Sequence, residues 1–380
     1  MATGYPTGQL GTYLETLRLA DHHVHGAFTG EVTRADFETA MNEGSPDPVP
    51  PWMTQFDSQL GFALRRWCAP LLDLPEHVSA DRYFERRVEL GTTEVTGRFL
   101  RAAGVSDWIV DTGYAADEVM SPGAVAAASR GRVHEVVRLE SLAEEVAATG
   151  TRDYADEFGS RLSTLARSPE VVATKSILAY RCGFDIDLTR PTDRAVAHAA
   201  RLWLGGQPSR LTDPVLISHG LHTAVELGLP IQLHTGFGDR DLDLHRANPV
   251  LLLDFLRLPE VSRVPVLLLH CYPYHREAAY LAQAFPAVYF DVGLGVNHLG
   301  VRGVELIAES FELAPFAKQL YSSDAWGLPE LHFLGAALWR RAIGRTFGRW
   351  VADGDWSLRD AMRVAAMIGH DNAHRVYDLR

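Results

Sequence analysis

An α/β fold closed into a (β/α)8 barrel is the architecture this sequence predicts, on three observations. Eight apolar, strand-like runs recur along the chain, most of them separated by helix-like segments, and that alternation builds parallel sheets. The runs are continuously apolar, as strands covered on both faces are. Polar, metal-competent residues fall at their carboxyl ends. An open doubly wound sheet is the alternative. No run is followed by Gly-x-Gly-x-x-Gly, the turn that marks the dinucleotide-binding version of that fold.

The first run, 17–25, ends in Ala20-Asp21-His22-His23-Val24-His25-Gly26. Side chains alternate along a strand, so Asp21, His23 and His25 are expected on one face and His22 on the other. A long insertion, from 27 to about 101, comes next. Its stretch Pro46-Asp47-Pro48-Val49-Pro50-Pro51-Trp52 cannot be the interior of a regular helix or strand. Residues 56–67 and 82–90 read as helices. The insertion is therefore expected to be a mostly helical cap over the end of the first strand, with a separate small domain as the alternative.

The second strand is expected at 108–113 and the third at 135–140, followed by helices over 142–148 and 154–166. The fourth strand is expected at 171–178, then helices at 193–204 and 214–227. The fifth strand, 230–236, leads through Ala247-Asn248-Pro249 to an amphipathic 250–258. The sixth strand is 264–270, with a helix at 276–285; the seventh is 287–293, the eighth 319–324, and two or three helices finish the chain. Residues 1–380 read as one barrel domain with its cap, a length at which such barrels are common.

Composition narrows the partners. Apolar residues make up 47% and charged residues 22%, ordinary for a soluble globular chain. A net charge of -12 argues against nucleic acid and against an anionic membrane surface, since both need a basic patch. A small-molecule substrate is the expected partner, and a homo-oligomer is left open. Cys68, Cys182 and Cys271 are odd in number, scattered, and lack a Cys-x-x-Cys, which fits reduced thiols in a cytoplasm. Residues 1–10 do not read as a signal peptide, and no apolar run is long enough to span a bilayer.

The strand ends carry the chemistry. His23 and His25 end the first run, Lys175 lies late in the fourth, His234 ends the fifth, His270 the sixth and Asp324 the eighth. In a barrel these ends share the face that holds active sites. Two imidazoles one residue apart on a strand face can grip one ion, and neutral imidazole suits zinc, iron, copper and nickel. With 16 histidines in the chain a lone His-x-His is weak evidence. A hydrogen-bonded strand-end histidine or a helix-capping aspartate would explain any single position. Ligand types in the same relative place on several strands outweigh that explanation. A histidine after Leu267-Leu268-Leu269 is also costly to bury without a partner. One or two divalent ions, zinc first, are the expected cofactor.

Asp21-x-His23-x-His25, His234, His270 and Asp324, in that strand order, resemble the amidohydrolase superfamily of metal-dependent TIM barrels. Longer stretches look like one branch, the amidohydrolase half of glutamine-synthetase-fused nodulin-like proteins. They are Lys175-Ser176-Ile177-Leu178-Ala179-Tyr180-Arg181-Cys182-Gly183-Phe184, His234-Thr235-Gly236-Phe237-Gly238-Asp239, His270-Cys271-Tyr272-Pro273-Tyr274-His275-Arg276-Glu277-Ala278 and Tyr321-Ser322-Ser323-Asp324. The ending Ile368-Gly369-His370-Asp371-Asn372-Ala373 looks like the Asn-Ala ending of that branch. The resemblance runs from Leu17 to the end and is thin in the cap. It implies that His23, His25, Lys175, His234, His270 and Asp324 are metal ligands. It gives Asp324 the proton transfer, and has His270 bind a second ion or hold the substrate carbonyl. A metal lowers the pKa of a bound water and polarises a carbonyl, while a carboxylate can take the water's proton and return it to the leaving group. In two-metal members a carboxylated lysine bridges the ions, and Lys175 is at about that place; an ordinary ion pair with Asp111 or Glu140 is the alternative.

Tyr180, Arg181, Tyr272, Tyr274, Arg276 and Trp326 follow the fourth, sixth and eighth strands. Tyr180, Arg181, Tyr272, Tyr274 and Trp326 are expected to contact substrate, although packing of amphipathic rings would also account for the aromatic ones. Arg181 could clamp a substrate carboxylate or pair with a protein carboxylate. Asp239, Asp241 and Asp243 form a solvated acidic loop or a substrate loop, and Asp291 ends the seventh strand. The first functional reading is a metal-dependent hydrolase of C–N bonds in a small, carboxylate-bearing substrate. The second is a zinc-dependent decarboxylase, as in related barrels that use one ion and no bridging lysine. A metal-binding scaffold without catalysis is the third, and its sign, a missing ligand, is not seen.

Overall fold

The structure, a computed structural model, describes residues 8–206 and 210–379. The expectation for residues 1–10 falls largely outside them.

Among the described residues seven parallel strands form one sheet in sequence order: β1 (Leu19–Val24), β2 (Val105–Asp111), β3 (Arg132–Arg138), β4 (Val171–Ser176), β5 (Ile231–Thr235), β6 (Val266–His270) and β7 (Val288–Phe290). Every residue of β1, β5 and β6 is buried, which is why these runs lack polar alternation. Helices follow the strands and their caps are written in the sequence. Asp213 accepts from the amides of Val215 and Leu216 at the start of the helix Pro214–Glu226, and Pro214 fills its first position.

The eighth strand is a correction. Residues 319–324 form no regular strand, and their one ladder pair is Phe290 with Gln319. The segment still bonds to both edges of the sheet. The Leu320 amide donates to the carbonyl of Phe290 in β7 (3.1 Å). The His22 amide donates to Tyr321 and the Asp324 amide to His23, each at 3.1 Å. β7 offers only three residues to pair with, and Asp324 has φ 48°, a left-handed conformation that ends a strand. Strand boundaries shift as well: the second strand, expected at 108–113, is Val105–Asp111, and the fourth, expected at 171–178, ends at Ser176. The third strand stops at Arg138 because the helix Leu139–Ala148 starts there. Its Glu140 carboxylate accepts from Ser176 Oγ and the Ile177 amide, across the end of β4.

Between β1 and β2 run the helices Arg34–Ala40, Gln59–Trp67, Ala80–Leu90 and Thr92–Ala102, with residues 44–53 irregular around the prolines. Phe37, Phe56 and Tyr83 pack ring on ring. A buried ion pair, Arg87 Nε to Glu330 Oε1 at 2.8 Å, ties this region to the helix Pro329–Ala352. Removing one partner of such a pair typically costs about 3–5 kcal/mol, because the other charge stays buried. The Arg240 amide donates to Gly44, and the Arg240 side chain pairs with Asp47, so this region reaches the loop after β5.

The other end of the sheet is closed by the last helix, Asn372–Tyr377. Ala373, Val376 and Tyr377 pack among Ala20, Ile109, Val136, Ala173 and Leu267. Asn372 Nδ2 donates to the carbonyls of Phe316 and Gln319, 2.7 Å each, which fastens the segment that carries Asp324.

Candidate metal centre

Strand ends bring the expected ligands together. Asp324 Oδ1 lies 3.2 Å from His23 Nε2 and 3.7 Å from His25 Nε2, and Asp324 Oδ2 lies 3.3 Å from His270 Nδ1. Ligand atoms of His23, His270 and Asp324 all lie within 4.8 Å of one another, as do those of His23, His25 and Asp111. Lys175 Nζ is 2.9 Å from His23 Nε2 and 4.0 Å from Asp111 Oδ2. His234 stands beside His270, ring centroids 4.7 Å apart.

These atoms are buried and largely unsatisfied. His270 Nδ1 and Nε2, His234 Nε2 and Asp324 Oδ1 have no hydrogen-bond partner. Buried polar groups are normally paired, so such a cluster calls for a missing partner. A cation is a partner that could satisfy nitrogen and oxygen lone pairs at once. The backbone is strained here as well: His270 (φ 68°), Cys271 (φ 54°) and Asp324 (φ 48°) are all left-handed, at roughly 1–3 kcal/mol each. Beyond β5, Gly236 (φ 72°) makes a turn that a Cβ would block, since it would lie 2.3 Å from the Tyr272 carbonyl oxygen.

Protonation states favour ligation. Burial holds the imidazoles of His23, His234 and His270 well below their ordinary pKa, and takes His25 to about 4. All four are thus neutral, the form that binds metal. Burial takes Lys175 down to about 8, with Asp111 and Asp324 pulling the other way. Burial also lifts Asp324 to about 6, partly offset by His25 and Lys175.

Second partners aim the candidate ligands. His25 Nδ1 donates to the Asp111 carbonyl (3.1 Å), which leaves its Nε2 toward Asp324. Arg138 binds Asp111 Oδ2 through two nitrogens, at 2.6 and 3.1 Å. Of the two expected pairings for Lys175, Asp111 is the nearer; Glu140 is occupied at Ser176 and Ile177. Strict alternation fails in β1. His22 bonds Tyr377, His23 bonds Gln232, and Gln232 bonds Tyr377, so both histidines face one interior network. The register of β1 against β2 shifts between Asp21 and Val24, and such irregularities re-aim side chains beside sites. Asp21 instead accepts from the Ser323 amide. Asp291 lies inside too, bonded to His22.

The centre opens into a cavity of about 830 Å³. His25, Lys175, His234, His270 and Asp324 line it, with Tyr180, Arg181 and Trp326. Arg181 pairs with Glu144 at 3.0 Å, while its Nε is buried without a partner. Tyr272 and Tyr274 are not among the lining residues. The left-handed turn at 270–271 carries the chain away: Tyr272 lies against Gly295, and Tyr274 precedes the helix His275–Ala284. Arg276 pairs with Glu309 and Glu312, also outside the lining. Asp239 and Asp241 line the cavity, whereas Asp243 pairs with Arg246.

Sequence reasoning did not single out Gln232, Arg138, Tyr114 or Glu43, of which all but Gln232 line the cavity. Gln232 had a signal, a carboxamide between Ile231 and Leu233 two residues before His234. Arg138, between Val137 and Leu139 at the end of the third strand, had a similar one. Glu43 had none, since it stands in the irregular part of the insertion; burial beside Asp324 and Asp239 lifts its carboxyl to about 8.

A family model described as amidohydrolase matches residues 184–379, a stretch with His234, His270 and Asp324. Protein fluG of Emericella nidulans is 34% identical over 242 residues, 60% of this chain and 28% of fluG, so the chain corresponds to well under half of that relative's length. The crystal structure of a protein described as a metal-dependent hydrolase, from Lactobacillus casei ATCC 334, superposes with a TM-score of 0.84 at 26% identity, covering 98% of each chain. A uronate isomerase from Bacillus halodurans C-125 (TM-score 0.62, 15% identity, 98% and 96% coverage) shares the fold alone. Among the described residues no helix is long and apolar enough to cross a membrane.

Proposed function

The chain belongs to the amidohydrolase family, and from that premise we propose that it is a metal-dependent hydrolase of a C–N, amide-type bond in a small, carboxylate-bearing substrate. The observation that carries this reading is the set of buried, unpartnered ligand atoms of His234, His270 and Asp324 around His23. His23, His25 and Asp324 would hold a first divalent ion, zinc by preference, and Lys175, His234 and His270 a second. Such an ion supplies Lewis acidity, activating water and polarising a carbonyl.

The chain's own residues do the rest. Asp324 accepts a proton from the attacking water and returns it to the leaving nitrogen. A carboxylate beside the attacking water can do both, as base and then as acid. His270 orients the scissile carbonyl or shares the second ion. Lys175, with an amine lowered to about 8, has a minor neutral fraction near pH 7, far above that of an ordinary lysine, and the neutral form is the one that adds carbon dioxide, losing a proton, to become a carbamate. Electron density at Lys175 in a metal-loaded crystal tests that step, and a bare ammonium beside two ions would refute it. Arg181, which lines the cavity, receives the substrate carboxylate together with Tyr180 and Trp326. We read the fold as a single-domain (β/α)8 barrel whose eighth strand is the irregular 319–324, and residues 27–101 as a helical cap.

One observation favours a second reading. The group His23, His270 and Asp324 is complete without Lys175 or His234, and a one-ion centre suits a decarboxylase. Incubating metal-analysed protein with a panel of small amides, lactams and carboxylic acids separates the readings. Release of amine or ammonia supports hydrolysis, and carbon dioxide release supports the lyase. Turnover that is unchanged in chelator would overturn both.

A further inference from the structure

We infer that Tyr377, in the last helix of the chain, is a positioning residue for His23, acting through the carboxamide of Gln232. The inference rests on the metal-centre reading and extends it to a residue on the opposite side of the barrel interior.

The argument is one of donors and acceptors. Gln232 Nε2 has two protons and two partners, the His22 carbonyl and Tyr377 Oη, both at 2.8 Å. A carbonyl can only accept, so with both bonds made the amide is not turned the other way round, whereas without the phenol a single bond holds it. Gln232 Oε1 must then face His23 Nδ1, 2.8 Å away. That fixes the proton of His23 on Nδ1 and leaves the Nε2 lone pair toward Asp324 (3.2 Å) and Lys175. Tyr377 Oη accepts from Gln232, so its own proton goes to His22 Nδ1 at 2.9 Å. His22 Nε2 then carries a proton and donates it to Asp291 Oδ2 at 3.0 Å. Asp291 Oδ1 accepts from the amides of His270 and Gly293 and from Ser322 Oγ. The phenol thus supplies one acceptor and one donor to a buried network that otherwise leaves both Gln232 and His22 one partner short. Metal-binding histidines take their tautomer and orientation from the partner of the other ring nitrogen. Here that partner is held by the carboxyl-terminal helix.

The test measures zinc affinity of the full chain by competition with a chromophoric chelator. Loss of such an outer partner typically weakens metal binding by about 10–100-fold, so Tyr377→Phe should fall in that range. Gln232→Ala should fall by as much, and adding Tyr377→Phe to it should cost little more. Val376→Ala loosens the same helix and serves as the control: it should lower the melting temperature while keeping parental affinity. Long-range 15N spectra of the metal-free protein give a second readout, with His23 protonated on Nδ1 in the parent and mixed in Tyr377→Phe. If the parent takes up no zinc, the metal centre itself is refuted. If the parent binds zinc and Tyr377→Phe binds it as tightly, or Val376→Ala weakens it equally, the metal centre stands and the positioning role falls.

Discussion

Two clusters of histidine and aspartate stand at opposite ends of the same sheet, and their polar atoms meet different surroundings. At the amino end, Asp107, His370 and His374 bring ligand atoms within 4.8 Å of one another, as His23, His270 and Asp324 do at the carboxyl end. Asp107 is fully buried, but both its oxygens are taken. Arg132 donates to them at 2.7 and 3.1 Å, His134 lies at 3.4 Å and His374 at 3.1 Å. His370 Nδ1 bonds Asp371. None of the buried, unpartnered polar atoms belongs to this cluster, whereas four belong to His234, His270 and Asp324. The backbone differs too, left-handed at His270 and Asp324 and that of a regular strand at Asp107. Ligand-type residues in reach of one another therefore do not make a site. Lone pairs left without a partner do, because their burial is costly until something binds.

The largest test of this contrast is Asp324→Asn. Loss of general acid–base transfer alone should lower turnover by about 10²–10⁴-fold, while the urea midpoint of the metal-free protein stays at or above the parent's. Turnover within a few-fold of the parent would show that the proton acceptor lies elsewhere. Next is a matched pair of variants read by elemental analysis after dialysis. His23→Ala should leave the protein without its ion, and His374→Ala should retain the parental content. Equal loss in both would erase the distinction between the two ends.

Arg181→Met is a smaller test within the cavity. If Arg181 holds a substrate carboxylate, apparent affinity for acidic substrates should fall by roughly 1.5–3 kcal/mol, with neutral analogues little affected. A lower melting temperature with equal loss for both substrate kinds would mean that the pair with Glu144 is its whole role. Arg132→Met acts at the opposite end. It should cost about 1 kcal/mol of stability, since His134 and His374 still serve Asp107, with metal content and turnover unchanged.

The smallest effects concern pH, and the two ends differ in sign. Burial alone would raise Asp107, but bonds from His134, Arg132, Ser106 and His374 hold it well below the usual carboxylate range. Its contribution is present above the ordinary pKa of about 4 and is lost as pH falls further. Burial raises Asp324 to about 6. Its charge opposes folding of the metal-free protein at neutral pH, and that cost is relieved as pH falls from about 6 toward 4. Urea midpoints of metal-free protein between pH 7 and pH 3 should show Asp107→Asn flattening the acid loss and Asp324→Asn flattening the gain. The same slope in both variants would contradict the assignment.

The sequence by itself determined the strands and the residues at their ends. Continuous apolar runs such as Val266–His270 are legible because full burial of a parallel strand demands them. The positions of His23, His234, His270 and Asp324 were legible because parallel strands send all their carboxyl ends to one face. Tertiary structure alone decided the rest. It replaced the eighth regular strand by a segment that bonds to both edges of the sheet. It turned Tyr272 and Tyr274 from the cavity through a left-handed turn, and brought His22 and His23 to one network through an irregular register. It also set Asp107 against Arg132 and left the imidazole nitrogens of His270 without a hydrogen bond, a difference local sequence does not show. The physical reason is that a residue's type says which bonds it can make. Which bonds it does make depends on groups far along the chain, as Tyr377 and Gln232 do for His23.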